Sequence, residues 1–162
     1  MLPPPRQPGR YAVALVCLGN ICRSPMAHVV LEDRLAAAGL DDRVVVHSSG
    51  TGGWHVGGPI DRRAGAVLTA AGYDGSRHHA RQYDESWVDA HDLVLAMDHD
   101  NLADLGGRST RVALFRDFDP EGTGEDVPDP YYGGSDGFAE VLTMVERTSD
   151  ALVAELAELL RD

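Results

Sequence analysis

The sequence predicts an α/β fold in one domain: a four-stranded parallel sheet with helices on both faces. Two observations predict it. Short apolar runs rich in Val and Leu recur along the chain, and segments with helical periodicity separate them. Strands that alternate with helices pair in parallel through right-handed crossovers.

In order, Met1 to Gly9 (MLPPPRQPG) reads as a disordered Pro-rich tail, which leaves residues 10–162 as the folded domain. Tyr11 to Cys17 (YAVALVC) is a buried strand. A polar loop follows, and Ser24-Pro25 signals a helix start, with Ser as N-cap and Pro in the first helical position. Ala27, Leu31, Leu35 and Ala38 share one helical face, and Gly39 stops the helix. Arg43 to Ser48 is a second strand, followed by a Gly-rich segment from Gly50 to Pro59. Arg62 to Ala71 is a helix closed by Gly72, and Asp84 caps a short helix through Ala90. Asp92 to Met97 and Arg111 to Phe115 are the third and fourth strands, with a helix from Asp98 to Leu105 between them. Arg116 to Gly134 is an acidic loop containing Pro120, Pro128 and Pro130. Phe138, Val141, Leu142, Val145, Leu152, Leu156 and Leu159 mark one face of a long closing helix.

Ligands on such sheets sit beyond the carboxyl ends of the strands. The loop after the first strand is Cys17-Leu18-Gly19-Asn20-Ile21-Cys22-Arg23-Ser24. It runs from a strand into a helix N-terminus, where unpaired N–H groups and the helix dipole attract anions. Gly19 permits backbone geometry that a side chain resists, and Asn20 tolerates the left-handed region. The loop is therefore expected to be a phosphate-binding nest. Cys17 opens it and Arg23 stands six positions later. Positive surroundings favour a thiolate, the form of cysteine that attacks phosphorus. Arg23 presents a planar fork that grips two phosphate oxygens together. Ser24 can donate to the sulfur as well as cap the helix.

The bulk properties exclude several classes. A net charge of −12 argues against nucleic acid and anionic membrane as partners. It also means that a phosphate must be held by local donors, not steered in by the whole field. The apolar run Tyr11 to Leu18 is too short to span a bilayer and no signal-peptide pattern precedes it, so a soluble, cytoplasmic protein is expected. Cys17 and Cys22 are the only cysteines, too few for a disulfide scaffold or a four-cysteine zinc site. The seven histidines show no HExxH spacing, so no metal is expected. Gly50-Thr-Gly-Gly lacks the third glycine of GxGxxG, and no GxxxxGK[ST] occurs, so neither nucleotide-loop signature is present.

A phosphoryl transfer that expels a phenoxide needs an acid. The acidic loop offers Asp117, Asp119, Glu121, Glu125, Asp126 and Asp129, and composition does not choose among them. Asp129 is distinguished only by Pro128 and Pro130, which stiffen the chain around it. Asp98 is expected to engage Arg23 or support the loop, or simply to cap the helix after the third strand.

The segment VCLGNICRSP resembles the signature of the low-molecular-weight protein tyrosine phosphatases. So do Asp129-Pro-Tyr-Tyr-Gly133, SSGTGGWHVG from Ser48 to Gly57, HHARQ from His78 to Gln82, and AMD from Ala96 to Asp98. The resemblance implies a phosphatase domain over residues 10–162 that needs no metal or organic cofactor. It implies Cys17 as nucleophile, Arg23 as phosphate clamp and Asp129 as general acid, then base toward the phosphocysteine. It places Asn20, Ser48 and His78 as braces of the loop, and Trp54, Tyr131 and Tyr132 as walls of an aromatic substrate cleft with Leu18 on its rim. It also implies a reversible Cys17–Cys22 disulfide, against which stands a plain packing role for Cys22.

The expected substrate is a tyrosine-phosphorylated protein, handled by a monomer. Protein arginine phosphatases of this fold are the alternative, and they tend to carry Thr where this chain has Ile21. Arsenate reductases of this fold need further cysteines. A non-catalytic phosphate-binding module would need no nucleophile. His28 stands where relatives often carry an acid and is expected to be exposed and inconsequential; His55, beside Trp54, is expected on the cleft loop.

Overall fold

A computed structural model describes residues 2–131, 133 and 135–161. Strands β1 (Tyr11–Cys17), β2 (Val44–Gly50), β3 (Leu93–Ala96) and β4 (Val112–Leu114) form one sheet in the order β2-β1-β3-β4. Every pairing is parallel, with Val13 opposite Val46 and Leu93, and Ala96 opposite Leu114. The helices are α1 (Arg23–Ala37), α2 (Arg62–Ala70), α3 (Ser86–Ala90), α4 (His99–Asp104) and α5 (Ser135–Leu159), with a 3-10 turn at Phe115–Phe118.

The period-2 alternation of the strands divides their side chains between two cores. Val13, Leu15, Leu93 and Leu95 face α1, α2 and α5, where they meet Met26, Leu31, Leu68, Phe138, Val145 and Leu156. Ala14, Val16, Val94, Ala96, Val112 and Leu114 face the other way, under Leu102 of α4 and the half-buried Trp87 and Val88 of α3. A fully buried Leu or Phe contributes about 1.5–3 kcal/mol, so these two layers carry the stability of the sheet. The closing helix buries Phe138, Val141, Leu142, Val145, Leu152 and Leu156 as its periodicity requires.

Three expectations change. Residues 1–9 are expected as a disordered tail, yet over residues 2–9 the chain has specific partners. Leu2 is buried, Tyr11 Oη donates to the Pro3 carbonyl (2.9 Å), and Arg6 donates from its backbone N to Asp92 Oδ1 (2.6 Å) and from Nε to the His91 carbonyl (3.0 Å). The Arg6 contacts tie this stretch beside the start of β3, and it turns back at Pro8-Gly9, where Arg10 N donates to the Gln7 carbonyl (3.2 Å). Helix α1 starts at Arg23, two residues before Pro25, with Cys22 as a cap lacking any side-chain bond; Ser24 is inside the first turn and its hydroxyl is used elsewhere. Strand β2 runs two residues beyond Ser48, to Gly50. A Cβ on Gly50 would stand 2.7 Å from the Leu18 carbonyl oxygen and 2.9 Å from Asn20 N, so only glycine lets β2 end against the loop.

Among the candidate acids, Asp119 is structural. Its side chain is 0% exposed and accepts from Arg116 Nε (2.9 Å), Arg147 Nε and NH2 (2.7 and 2.8 Å) and Glu121 N (2.9 Å). Hydrogen bonding from Arg147 outweighs burial and holds its carboxyl well below the usual carboxylate range. A depressed folded pKa gives stability that is present above the unfolded value near 3.9 and is lost as pH falls below it. Asp119→Ala leaves two arginines facing an empty pocket and is expected to cost about 3–5 kcal/mol. A thermal melt near neutral pH checks it: Tm should fall by roughly 10 °C, and a drop of less than about 2 °C would refute the buried ion pair as an anchor.

Candidate active site

Cys17 is the last residue of β1, buried at 2% exposure, and the loop after it turns around the sulfur. Asn20 N donates to Cys17 Sγ (3.3 Å), and Ser24 Oγ lies 3.0 Å from it. Four of the loop carbonyls are anchored by neighbouring segments. Those of Cys17, Leu18 and Ile21 accept from Thr51 N (3.0 Å), Gly52 N (2.9 Å) and Asp61 N (2.8 Å), and that of Asn20 accepts from His78 Nε2 (2.6 Å). In a planar trans peptide the N–H points opposite to the carbonyl. Anchoring the carbonyls outward therefore turns the following N–H groups inward, which is the construction of an anion nest.

Asn20 takes the left-handed conformation, with φ of 56°, that this turn requires. The strain is offset because every polar atom of its side chain is used: Nδ2 donates to Ser24 Oγ (2.8 Å) and Ser48 Oγ (3.1 Å), and Oδ1 accepts from Arg81 N (2.9 Å). Gly19, expected to supply unusual torsions, instead supplies space, since a Cβ there would come within 3.2 Å of His55 Cδ2. The His78 bond is donated by its Nε2–H, and burial pushes the His78 pKa down, which keeps the ring neutral in that role.

Arg23 is 2% exposed and is held from three sides. NH1 donates to Asp98 Oδ2 (2.5 Å) and the Val127 carbonyl (3.1 Å), and NH2 reaches Asp129 Oδ2 (3.5 Å). Asp98 engages Arg23 and caps the helix at once, because its Oδ1 also caps α4 by accepting from Asn101 N (2.7 Å).

The remaining candidate acids separate by location. Asp117 pairs with Arg108, Asp126 accepts from the backbone and ring of His99, and Glu121 and Glu125 are exposed beside Arg147 and Arg116. Asp129 stands in the cleft with Cys17, Leu18, Gly19, Ile21, Cys22, Arg23, Trp54, His55 and Tyr131, around a volume of about 270 Å³. The loop that delivers it is tied down on both sides: Arg116 NH1 donates to the Asp126 carbonyl (2.8 Å) and Val127 N to the Met97 carbonyl (2.7 Å). Asp129 Oδ1 in turn accepts from Tyr131 N (3.0 Å).

Trp54 is 73% exposed and Tyr131 37%, an open pair of aromatic walls, with Leu18 at 41% on the rim. Tyr132 lies outside the described residues. Asn20 and Ser24, expected among the phosphate-binding residues, turn their side chains behind the loop. Burial, with Asp61 and Cys17 nearby, pushes the Cys22 thiol up to about 12, so it stays protonated at the cleft wall. Both cysteines are free thiols. Sequence reasoning did not find the Val127 carbonyl, which backbone chemistry alone supplies. It also did not find Arg63, whose guanidinium lies over Tyr131 (5.3 Å) and Phe138 (4.7 Å). Among the described residues no group of three His, Cys, Asp or Glu is placed to hold a metal ion.

The family model described as low molecular weight phosphotyrosine protein phosphatase matches residues 12–161. A low molecular weight protein-tyrosine-phosphatase of Streptomyces coelicolor is 48% identical over 156 residues, covering 91% of this chain and 94% of that one. The crystal structure of a protein tyrosine phosphatase from Entamoeba histolytica superposes with a TM-score of 0.86 at 32% identity, covering 91% of this chain and 97% of that one. A cysteine-to-serine mutant of the YwlE arginine phosphatase, with its active site serine phosphorylated, superposes at 0.80 with 26% identity, covering 91% of this chain and 96% of that one.

Proposed function

The chain belongs to the low molecular weight phosphotyrosine protein phosphatase family, and from that premise we propose how its residues divide the work. It is a cysteine-dependent protein tyrosine phosphatase, a hydrolase of phosphoric monoesters. In our reading, Cys17 Sγ attacks phosphorus while the bond to the aryl oxygen breaks and Asp129 gives that oxygen its proton. Asp129 then takes a proton from water as the water oxygen attacks the phosphocysteine. The sulfur–phosphorus bond breaks and orthophosphate leaves. Arg23 and the loop N–H groups other than that of Asn20, which faces the sulfur, hold the three non-bridging oxygens throughout. The observation that carries this reading is the convergence of Cys17, Arg23 and Asp129 in one cleft, although Asp129 lies over a hundred positions along the chain.

The sulfur's two partners fit the cycle. When Cys17 carries its proton, it can donate to Ser24 Oγ while the Ser24 hydroxyl turns to the Ser49 carbonyl, 3.4 Å away. As an anion it accepts from Ser24 instead, and Asn20 N adds a second donor.

The substrate is a tyrosine-phosphorylated protein in this proposal. Trp54, Tyr131 and the Ile21 side chain offer a flat apolar slot suited to an aryl ring. The likeness to an arginine phosphatase makes phosphoarginine the competing ester. Parallel assays in EDTA on matched phosphotyrosyl and phosphoarginyl peptides test the choice. The tyrosyl peptide should be preferred by at least about tenfold in kcat/KM, a difference of about 1.4 kcal/mol, and a preference for the arginyl peptide would overturn it. We place the protein in the cytoplasm as a working monomer. Its free thiols suit a reducing compartment, every proposed catalytic group comes from one chain, and no described helix is long and apolar enough to cross a membrane.

A further inference from the structure

The support of the catalytic loop extends past Ser48 to a histidine that the sequence treats as incidental. His28 lies on the second turn of α1, with its side chain only 22% exposed. Its Nδ1 is 3.2 Å from Ser48 Oγ, and its Nε2 is 3.4 Å from Glu32 Oε2 on the next turn. Ser48 Oγ is also the acceptor for Asn20 Nδ2 (3.1 Å), which donates its other hydrogen to Ser24 Oγ (2.8 Å), 3.0 Å from the Cys17 sulfur. A chain of contacts thus links an exposed carboxylate to the nucleophile.

One assignment of the donors runs through the whole chain. The Asn20 amide has two hydrogens on Nδ2, and both serines accept them. Each serine then has one hydroxyl hydrogen to place. That of Ser24 goes to the sulfur side. That of Ser48 needs an acceptor, and the lone pair of His28 Nδ1 is within reach. A neutral ring with its hydrogen on Nε2 satisfies both ends, because Nε2–H points to Glu32.

We propose that His28 is a positioning residue for Cys17, one that fixes the Ser48 hydroxyl and so aligns Asn20 and Ser24 behind the attacking sulfur. The inference rests on the phosphatase reading above. Without an acceptor at position 28 the Ser48 hydroxyl turns elsewhere, and the Asn20 amide loses the partner that sets its plane. The geometry of attack suffers, while the groups that bind phosphate stay in place. The cost therefore falls on kcat more than on KM.

The test is p-nitrophenyl phosphate turnover by the wild type, His28→Leu, His28→Gln, Ser48→Ala and the His28→Leu/Ser48→Ala pair, each checked for folding by circular dichroism. Leu fills the space without accepting, and Gln restores an acceptor. His28→Leu and Ser48→Ala should each lower kcat about tenfold with KM within about twofold, and the pair should be no slower than the slower single variant. His28→Gln should recover most of the rate. Wild-type kcat in His28→Leu, additive losses in the pair, or a loss confined to KM would overturn the proposal. If His28→Leu does not fold, His28→Ala takes its place under the same criteria. Absence of turnover in the wild type would overturn the phosphatase reading itself, which keeps the two failures distinct.

Discussion

Cys17→Ser is expected to lower turnover of aryl phosphates by on the order of 10⁴–10⁶-fold, the scale lost when a covalent nucleophile is removed. The physical reason lies in what the site offers the atom at that position. Ser24 Oγ and Asn20 N already stand at the sulfur, and in the proposed mechanism the loop N–H groups and Arg23 serve the phosphate and not the nucleophile. A serine hydroxyl has no base within the described contacts to take its proton, whereas a thiol ionises far more readily. Binding should survive, because the outward-anchored carbonyls and the Arg23 contacts do not involve the sulfur. Trp54 in the cleft wall offers a fluorescence signal for titration with inorganic phosphate. Turnover in EDTA and this titration together check the prediction. Activity within about tenfold of the wild type would remove Cys17 as nucleophile, and loss of anion binding would mean that the substitution had disturbed the loop instead.

The sheet was legible because each strand is a short apolar run and each helix carries a one-sided stripe, so local pattern and global packing agree. The ends of elements were less so. Ser24-Pro25 has the composition of a helix start, but α1 begins earlier because the loop commits its peptides to the nest and Ser24 to the sulfur. Gly50 could not be recognised as a strand end, since its role is to let Leu18 and Asn20 approach, a contact between distant segments. The same holds for the acids. Six carboxylates on one loop look alike in sequence, and what separates Asp119 from Asp129 is Arg147, far along on α5. His28 shows the limit most clearly. Its type and spacing suggest a solvated helix face, and only the register of β2 against α1 reveals Ser48 behind it.

Asp129→Ala should lower kcat for phenyl phosphate by about 10²–10⁴-fold, the usual contribution of a positioned proton donor. The loss should shrink as the leaving group improves. A phenoxide of high basicity needs the proton as its bond to phosphorus breaks, whereas a dinitrophenoxide departs as an anion with little help. A merely structural role for Asp129 would not show that dependence. The geometry adds a second expectation of opposite sign. Asp129 Oδ2 stands 3.5 Å from Arg23 NH2, so its carboxylate occupies the same cationic fork that the phosphate must use. Removing it lifts a like-charge opposition to the substrate dianion, and KM or the inhibition constant for inorganic phosphate should fall while kcat falls. Asp98→Ala provides the contrast. Asp98 grips NH1 of the same arginine and caps α4, but it does not line the cleft. Its loss should slow esters with good and poor leaving groups alike and raise KM, because the clamp itself is then misaligned. Rates for a series of aryl phosphates against leaving-group basicity decide between these pictures: a steeper slope in Asp129→Ala than in the wild type supports the acid, and parallel slopes in Asp129→Ala and the wild type would assign the proton to another donor.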